Sequence, residues 1–157
     1  LLQEGGWATA IHDAVLGNMR PLLGVCVGMQ LLADLGIEGS ENQAQKPAKG
    51  LGLIPGTVEH LSKIGCNLRI PHVGWNSVKT RSAEDSLFME IPDGSDFYFV
   101  HSYVFVPTDP STIVAECEYG VPVTAAIRLR HICGTQFHPE KSSRAGFRLL
   151  RNFTESL

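Results

Sequence analysis

The stretch PLLGVCVGMQLLADLG, residues 21–36, is the part of this sequence that most limits how the chain can fold. Leu22–Val25 is a short, continuous apolar run, which is typical of a strand buried on both faces. Met29–Leu35 then has apolar residues at helical spacing, and Gly36 ends that run. A buried strand that turns directly into a helix predicts an α/β domain with a central sheet.

The rest of the chain predicts further helices and strands. Apolar residues recur along one face over residues 8–19, which predicts an amphipathic helix before the buried strand. Ser143 is the predicted N-cap of a last amphipathic helix, and Glu41–Lys49 is a predicted polar loop. Apolar runs bounded by turn residues predict strands at Thr57–Leu61, Asn67–Ile70, Asp96–Val100, Ser102–Val106, Thr112–Cys117, Val123–Ile127 and Ile132–Phe137.

Composition and charge exclude several classes of function. The chain has 157 residues, which predicts a single domain over residues 1–157 with a core of its own. Its formal net charge of −3 lacks the basic footprint of a nucleic-acid-binding protein. No apolar run reaches the roughly 18 residues of a membrane span. The four cysteines form no CxxC pair, so we expect free thiols in a reducing cytoplasm and no metal site.

Cys26 lies between Gly24 and Gly28 at the predicted turn, and G-x-C-x-G in that context matches a nucleophile elbow with cysteine in place of serine. In an elbow the central residue is strained, and both glycines are expected to leave room for the chain to pass closely. The helix N-terminus would favour the thiolate, and the N–H of Val27 would face a developing oxyanion. The alternative is a small, buried structural cysteine. That alternative is the favoured interpretation of the three remaining cysteines, Cys66, Cys117 and Cys133.

The segment GTQFHPEKS, residues 134–142, supplies a base for such a nucleophile. Pro139 biases His138 towards an extended conformation, in which residues two apart project to the same side. The Glu140 carboxylate would then orient one imidazole nitrogen while the other faces the sulfur. The alternative is a loop histidine beside a proline, which a Cys elbow in the same domain makes less favourable.

These two motifs, GVCVGMQLL and GTQFHPEKS, resemble those of the class I glutamine amidotransferases, which use a Cys-His-Glu triad. Three intervening stretches are similar to the glutaminase subunits of imidazole glycerol phosphate synthase within that family: GLGLIPGTV (50–58), PHVGWN (71–76) and FYFVHSY (97–103). The resemblance covers essentially the whole chain. It implies a three-layer, flavodoxin-like α/β fold with a mixed central sheet.

The resemblance also implies the chemistry. The Cys26 thiolate would attack the carboxamide carbon of glutamine, His138 would protonate the departing ammonia, and water would release glutamate from the thioester. No cofactor is implied. The ammonia would pass, within a cytoplasmic heterodimer, to a cyclase partner with a (β/α)₈ barrel, which makes imidazole glycerol phosphate in histidine biosynthesis.

Residues for binding glutamine are implied by the same resemblance. Gln30 and Glu38 would contact the substrate, and His101, Ser102 and Tyr103 would line its pocket largely through their backbone. Each has an alternative role: Gln30 as a solvated helix residue, Glu38 as a loop carboxylate, and the HSY segment as an exposed strand junction.

In PHVGWN, Gly74 beside Trp75 predicts a tight turn that displays a large aromatic side chain, as an interface anchor does. The resemblance implies a position near the face that meets the cyclase. The alternative is a tryptophan packed in the core of its own domain.

The family pattern begins with two strands and a glycine-rich loop that supplies a second oxyanion amide, and this sequence contains neither. We therefore expect an N-terminally incomplete copy, in which a sheet without its first strands exposes an apolar edge. Such a chain, expressed alone, is expected to be poorly soluble and nearly inactive.

Three other functions remain open from the sequence. The first is a class I amidotransferase that serves GMP, anthranilate or carbamoyl phosphate synthesis, against which PHVGWN and FVHSY weigh. The second is a non-catalytic interaction module of the same fold, against which the intact triad weighs. The third is a cysteine hydrolase acting on peptides, for which no substrate-binding motif is present.

Overall fold

The structure is a computed structural model that describes residues 6–38, 46–82 and 84–155. The helices are α1 (Trp7–His12), which continues into a π-helical segment (Asp13–Gly17), α2 (Val27–Gln30) and α3 (Ser143–Glu155). The strands are β1 (Leu22–Val25), β2 (Leu35–Gly36), β3 (Ala48–Lys49), β4 (Gly56–His60), β5 (His72–Thr80), β6 (Asp96–His101), β7 (Tyr103–Pro107), β8 (Ile113–Glu118), β9 (Pro122–Leu129) and β10 (Ile132–Thr135).

Six strands form the main sheet in the order β1-β10-β9-β8-β5-β6, and four form a second sheet in the order β3-β2-β4-β7. The main sheet is mixed, as predicted, because β1 and β10 run parallel while its other pairs are antiparallel. Val25 is in register with Thr135, so the chain leaves both strands at the same edge of the sheet. This edge carries the candidate site.

The core lies on both faces of the main sheet, because successive side chains of a strand point to opposite faces. Leu23 and Cys133 pack with Leu149 of α3 on one face. On the other face, Leu22 and Ile132 pack with Val15 of the π-helical segment and with residues of the second sheet. The result is a layered α/β arrangement. No helix in the described part of the chain is long and apolar enough to cross a membrane.

Most predicted elements are confirmed. The helix predicted over residues 8–19 corresponds to α1 and its π-helical continuation, and the last helix begins at Ser143. Strands occur where predicted for β1, β4 and β6–β10, with ends that shift by one or a few residues. Cys66, Cys117 and Cys133 are buried free thiols.

The helix predicted over Met29–Leu35 is wrong beyond Gln30. Its next carbonyls leave the helical pattern, since Leu31 O accepts from the N–H of Leu51 at 2.7 Å and Leu32 O accepts from the neighbouring loop. The last residues of that range instead enter β2. Of the loop predicted over Glu41–Lys49, residues 41–45 lie outside the described residues, and its end forms β3.

The strand predicted at Asn67–Ile70 is also wrong, and so is the tight turn predicted in PHVGWN. The strand is β5, which starts at His72 and pairs with β6 over six residues. Gly74 lies inside β5 with a φ of 131°, a value that a residue with a side chain rarely adopts. Trp75 is 54% exposed, so it is not a core residue of the chain.

Candidate active site

Cys26 follows β1 directly and occupies a strained backbone conformation, with φ 51° and ψ −109°. A Cβ added at Gly24 would lie 2.6 Å from the carbonyl oxygen of Gly28, so this position excludes every larger residue. A Cβ added at Gly28 meets nothing within 4 Å, so the prediction that both glycines are required is wrong for Gly28. The elbow therefore depends on one glycine and on the close return of the helix backbone.

The Cys26 thiol is partly buried and makes two long hydrogen bonds. Its Sγ donates to Val100 O at 3.8 Å and accepts from Gln136 Nε2 at 3.7 Å. Burial raises the pKa of the thiol; the backbone N–H of Val27 opposes this rise, and the negative charge of Glu140 adds to it. The N–H of Val27 at the helix N-terminus thus favours the thiolate, as predicted, but the effect of burial is larger and the net pKa is raised.

His138 is held by a short set of hydrogen bonds to β6. Its N–H donates to Tyr98 O at 2.9 Å, and its carbonyl accepts from Ser142 Oγ at 2.6 Å. The same hydroxyl accepts from the N–H of Tyr98 at 3.0 Å, and Ser142 is fully buried. A single serine hydroxyl thus ties the histidine segment to the neighbouring strand.

Glu140 contacts the imidazole of His138, with its carboxylate 2.7 Å from Nδ1. A carboxylate can only accept, so Nδ1 carries a hydrogen and Nε2 is available as the base of the neutral ring. The expected reason for the contact is wrong in part: His138 is extended, but Pro139–Lys141 form a 3₁₀ turn. That turn, rather than an extended segment, brings the carboxylate back to the ring.

The residues of the predicted triad lie at one edge of the main sheet because β1 and β10 are neighbours. The N–H of Cys26 continues their ladder and donates to Thr135 O at 2.7 Å, three residues before His138. In this resting geometry the thiol is bonded to Val100 O rather than to the imidazole. Catalytic hydrogen bonds of this kind often form only when substrate is bound.

Gln30 and Glu38 lie together beside the elbow. Both line a small cavity of about 110 Å³ whose other lining residues include Val27. Gln30 Nε2 donates to Tyr103 O at 3.0 Å and to Gln136 Oε1 at 3.1 Å. Gln30 is therefore not a solvated helix residue, and its amide orientation is set by the protein.

The three residues of the HSY segment, His101, Ser102 and Tyr103, make different contacts. Tyr103 reaches Gln30 through its carbonyl, as just described, and His101 is buried, with Nδ1 2.8 Å from that same carbonyl. The carbonyl of Ser102 accepts from the N–H of Leu61. None of the three lines the cavity beside the elbow.

Two neighbours of the sulfur, Gln136 and Lys141, were not predicted from the sequence. Gln136 is fully buried, and its amide lies against Sγ. The positive charge of Lys141 lowers the pKa of the Cys26 thiol and so partly offsets the burial. Both residues stand within GTQFHPEKS, and alternation along an extended chain could have placed Gln136 on the same side as His138.

The described ranges 6–38, 46–82 and 84–155 contain no group of three or more His, Cys, Asp or Glu side chains arranged to hold a metal ion. The groups that hydrogen-bond to Sγ of Cys26 are instead a side-chain amide and a backbone carbonyl.

Fold and site together define a class of protein with a cysteine elbow and a His-Glu pair on adjacent parallel strands. Residues 4–157 match the family described as glutamine amidotransferase class-I. A solved glutamine amidotransferase superposes with a TM-score of 0.67 at 20% identity, covering 98% of this chain and 69% of that one. Another, from Thermotoga maritima, superposes with a TM-score of 0.61 at 22% identity, covering 96% of this chain and 54% of that one. These likenesses support the same fold.

Curated relatives narrow the class. The imidazole glycerol phosphate synthase subunit HisH of Rhodospirillum rubrum is 49% identical over 94% of this chain and 66% of its own length. HisH 1 of Prochlorococcus marinus is 46% identical over 97% of this chain and 70% of its own length. The chain thus spans about two thirds of the length of the curated relatives it matches. It belongs to the class I glutamine amidotransferase family and, within it, to the HisH subunits of imidazole glycerol phosphate synthase.

Proposed function

We propose that this chain is the glutaminase of imidazole glycerol phosphate synthase, with Cys26 as nucleophile, His138 as acid and base, and Glu140 as the group that orients His138. The observation that carries the proposal is the strained elbow at Cys26 on the same sheet edge as the 2.7 Å contact between His138 and Glu140. A cysteine kept at positive φ beside a carboxylate-oriented imidazole suits acyl transfer.

The reaction proceeds in two halves at the sulfur. The Cys26 thiol gives its proton to Nε2 of His138 and attacks the carboxamide carbon of glutamine. The tetrahedral intermediate collapses when His138 returns that proton to the leaving nitrogen, so ammonia departs and a thioester remains. Water then attacks the thioester with His138 as base, and glutamate and the free thiol are released.

The N–H of Val27 supplies one oxyanion donor. Its hydrogen bond lowers the pKa of the Cys26 thiol, which supports a position beside the developing tetrahedral oxygen. A donor of this kind lowers the barrier by about 3–4 kcal/mol.

The cavity beside the elbow suits the amino-acid end of glutamine. Gln30 and Glu38 both line this cavity, and since the nitrogen of Gln30 is committed to Tyr103 O and Gln136, the polar groups that they offer a ligand are an amide oxygen and a carboxylate. Both groups are acceptors, which favours an α-ammonium group there. His101, Ser102 and Tyr103 contribute through the position of the Tyr103 carbonyl rather than by lining the cavity.

The cyclase partner, a (β/α)₈ barrel, is proposed to bind the outer face of β5 and β6. Val73 and Trp75 are each 54% exposed on that face, and they pair across the strands with Val100 and Tyr98. The carbonyl of Val100 also contacts Sγ of Cys26, so a partner on this face lies next to the site of ammonia release. Exposed aromatic and aliphatic groups are typical interface anchors.

The cytoplasm is the proposed location of the reaction. Cys26, Cys66, Cys117 and Cys133 are all free, as is usual for proteins kept in a reducing compartment.

Trapping the thioester tests the proposal. The protein in complex with its cyclase is incubated with a glutamine-mimicking electrophile, and the adduct is located by mass spectrometry. We expect one adduct on Cys26, its absence in Cys26→Ala, and retained cyclase binding by that variant. A complex that binds the cyclase but neither forms the adduct nor hydrolyses glutamine supports the non-catalytic module instead.

A further inference from the structure

A continuous hydrogen-bonded chain of side chains runs from the buried interior to the sulfur of Cys26. It begins at the carbonyl of Tyr103, passes through the amides of Gln30 and Gln136, and ends 3.7 Å from Sγ. Gln136 is fully buried and stands outside the triad. A buried amide in that place requires a reason, because burying an amide is unfavourable unless its hydrogen bonds are made.

The orientation of both amides follows from the Tyr103 carbonyl oxygen at the start of this hydrogen-bonded series, because that oxygen can only accept. Since the Tyr103 carbonyl has no hydrogen to give, the nitrogen of Gln30 must face it. The same nitrogen lies 3.1 Å from Gln136, so Gln136 must present Oε1 to it. The Nε2 of Gln136 then faces Sγ and can only donate.

The Tyr103 carbonyl accepts a second hydrogen bond, from His101. His101 Nδ1 donates to it at 2.8 Å, and His101 Nε2 lies 3.0 Å from Nδ1 of His72. Both imidazoles are buried, which lowers the pKa of each to about 4 and leaves them neutral near pH 7. With Nδ1 of His101 donating, its Nε2 must accept from His72, so this pair has one orientation and keeps the carbonyl in place.

We propose that Gln136 is a further catalytic residue, whose Nε2–H donates to the Cys26 thiolate and stabilises it when the thiol ionises for attack. The inference rests on the proposed role of Cys26 as the nucleophile. A donor to sulfur favours the thiolate, and this offsets part of the penalty that burial imposes on the charged form. Gln30 acts as a positioning residue, since it prevents the Gln136 amide from turning its oxygen to the sulfur.

The test measures the ionisation of the sulfur directly. The alkylation rate of Cys26 by iodoacetamide is followed from pH 7 to pH 10.5 by mass spectrometry. The buried Cys117 is followed in the same spectra as an internal reference for the folded state, because a buried thiol is protected from the reagent. Gln136→Met removes the donor at similar volume, and we expect alkylation at pH 8 to slow about three- to tenfold, with the profile displaced to higher pH. Gln136→Glu places a carboxylate at the sulfur and should slow alkylation by more than about tenfold.

Two further variants separate this role from a structural one. Gln30→Met leaves Gln136 in place but frees its amide to turn, so alkylation should slow about two- to threefold. Asn152 is a buried residue of α3 whose amide donates to Leu87 O and Met89 O. Asn152→Leu removes these bonds, so it should lower the stability of the protein without moving the pH profile of Cys26 alkylation.

Profiles of folded Gln136→Met and Gln30→Met that superimpose on that of the parent protein would overturn the proposal. If the Gln136 variants do not fold, the profile of Gln30→Met decides alone. Iodoacetamide reports on the sulfur whether or not glutamine is hydrolysed. A protein with displaced variant profiles and no glutaminase activity would therefore refute the proposed function and leave the Gln136 donor standing.

Discussion

The two halves of the candidate site are built by different means. Cys26 is held by backbone packing, with a strained φ and a glycine pressed against the following helix. His138 is held by side chains, namely the buried hydroxyl of Ser142 and the carboxylate of Glu140. The elbow should therefore be sensitive to added volume, and the histidine segment to loss of hydrogen-bonding groups.

The largest expected effect is on catalysis, through the carboxylate of Glu140. Glu140→Gln removes the charge that stabilises the imidazolium and permits the wrong ring orientation, so kcat/KM for glutamine should fall on the order of 10²- to 10⁴-fold. Steady-state hydrolysis by the complex with the cyclase measures it. Glu155→Gln, at an exposed glutamate on α3, should leave the rate unchanged. Equal rates for Glu140→Gln and the parent protein would show that glutamine hydrolysis does not depend on the orientation of His138 by the Glu140 carboxylate.

The next effect is on the elbow. Gly24→Ala places a Cβ 2.6 Å from Gly28 O, so the free energy of unfolding should fall by about 1–3 kcal/mol or more. Gly28→Ala is the matched control, because its Cβ meets nothing and it lies in α2, where alanine should raise stability by about 0.5–1 kcal/mol. Urea denaturation of both variants measures the difference. Similar losses from both would mean that the turn does not depend on close backbone packing at Gly24.

Ser142→Ala breaks the link between the histidine segment and β6. It removes a 2.6 Å bond to His138 O and leaves the N–H of Tyr98 without its partner, so unfolding free energy should fall by about 1–3 kcal/mol. Ser95→Ala is the control, since Ser95 Oγ also donates to a carbonyl at 2.6 Å but at an exposed position. The unfolding free energy of Ser95→Ala should fall by less than about 0.5 kcal/mol. Thermal melts compare the two, and equal losses would contradict a special role for Ser142.

The smallest expected effect is on the pKa of the Cys26 thiol, through the charges of two residues in the histidine segment. The negative charge of Glu140 raises the pKa of the Cys26 thiol, whereas the positive charge of Lys141 lowers it. At pH 8 the thiol is mostly protonated, so a lower pKa means more thiolate and faster alkylation. Glu140→Gln should therefore speed iodoacetamide alkylation of Cys26 while it slows hydrolysis, and Lys141→Gln should slow alkylation. Changes of the same sign in both variants would contradict the geometry.

Predictions from sequence succeeded where local pattern decides the outcome. The elbow at Cys26 and most strands around it follow from apolar runs and turn residues, whereas the predicted contact of His138 with Glu140 forms through a 3₁₀ turn rather than through extended spacing. They failed where a distant segment competes for the backbone. The helix after Met29 ends early because the loop near Leu51 takes its carbonyls, and PHVGWN is a strand because β6 pairs with it.

The sequence by itself determined the class of fold and the family and predicted the triad, since these depend on short motifs and on apolar periodicity. Only the tertiary structure decided the ionisation and the neighbours of Cys26. The sign of a pKa change depends on the balance of burial against donors and charges contributed by residues such as Gln136 and Glu140, and that balance exists only once β1 and β10 lie side by side. Packing across strands, rather than order along the chain, brought a buried amide to the sulfur.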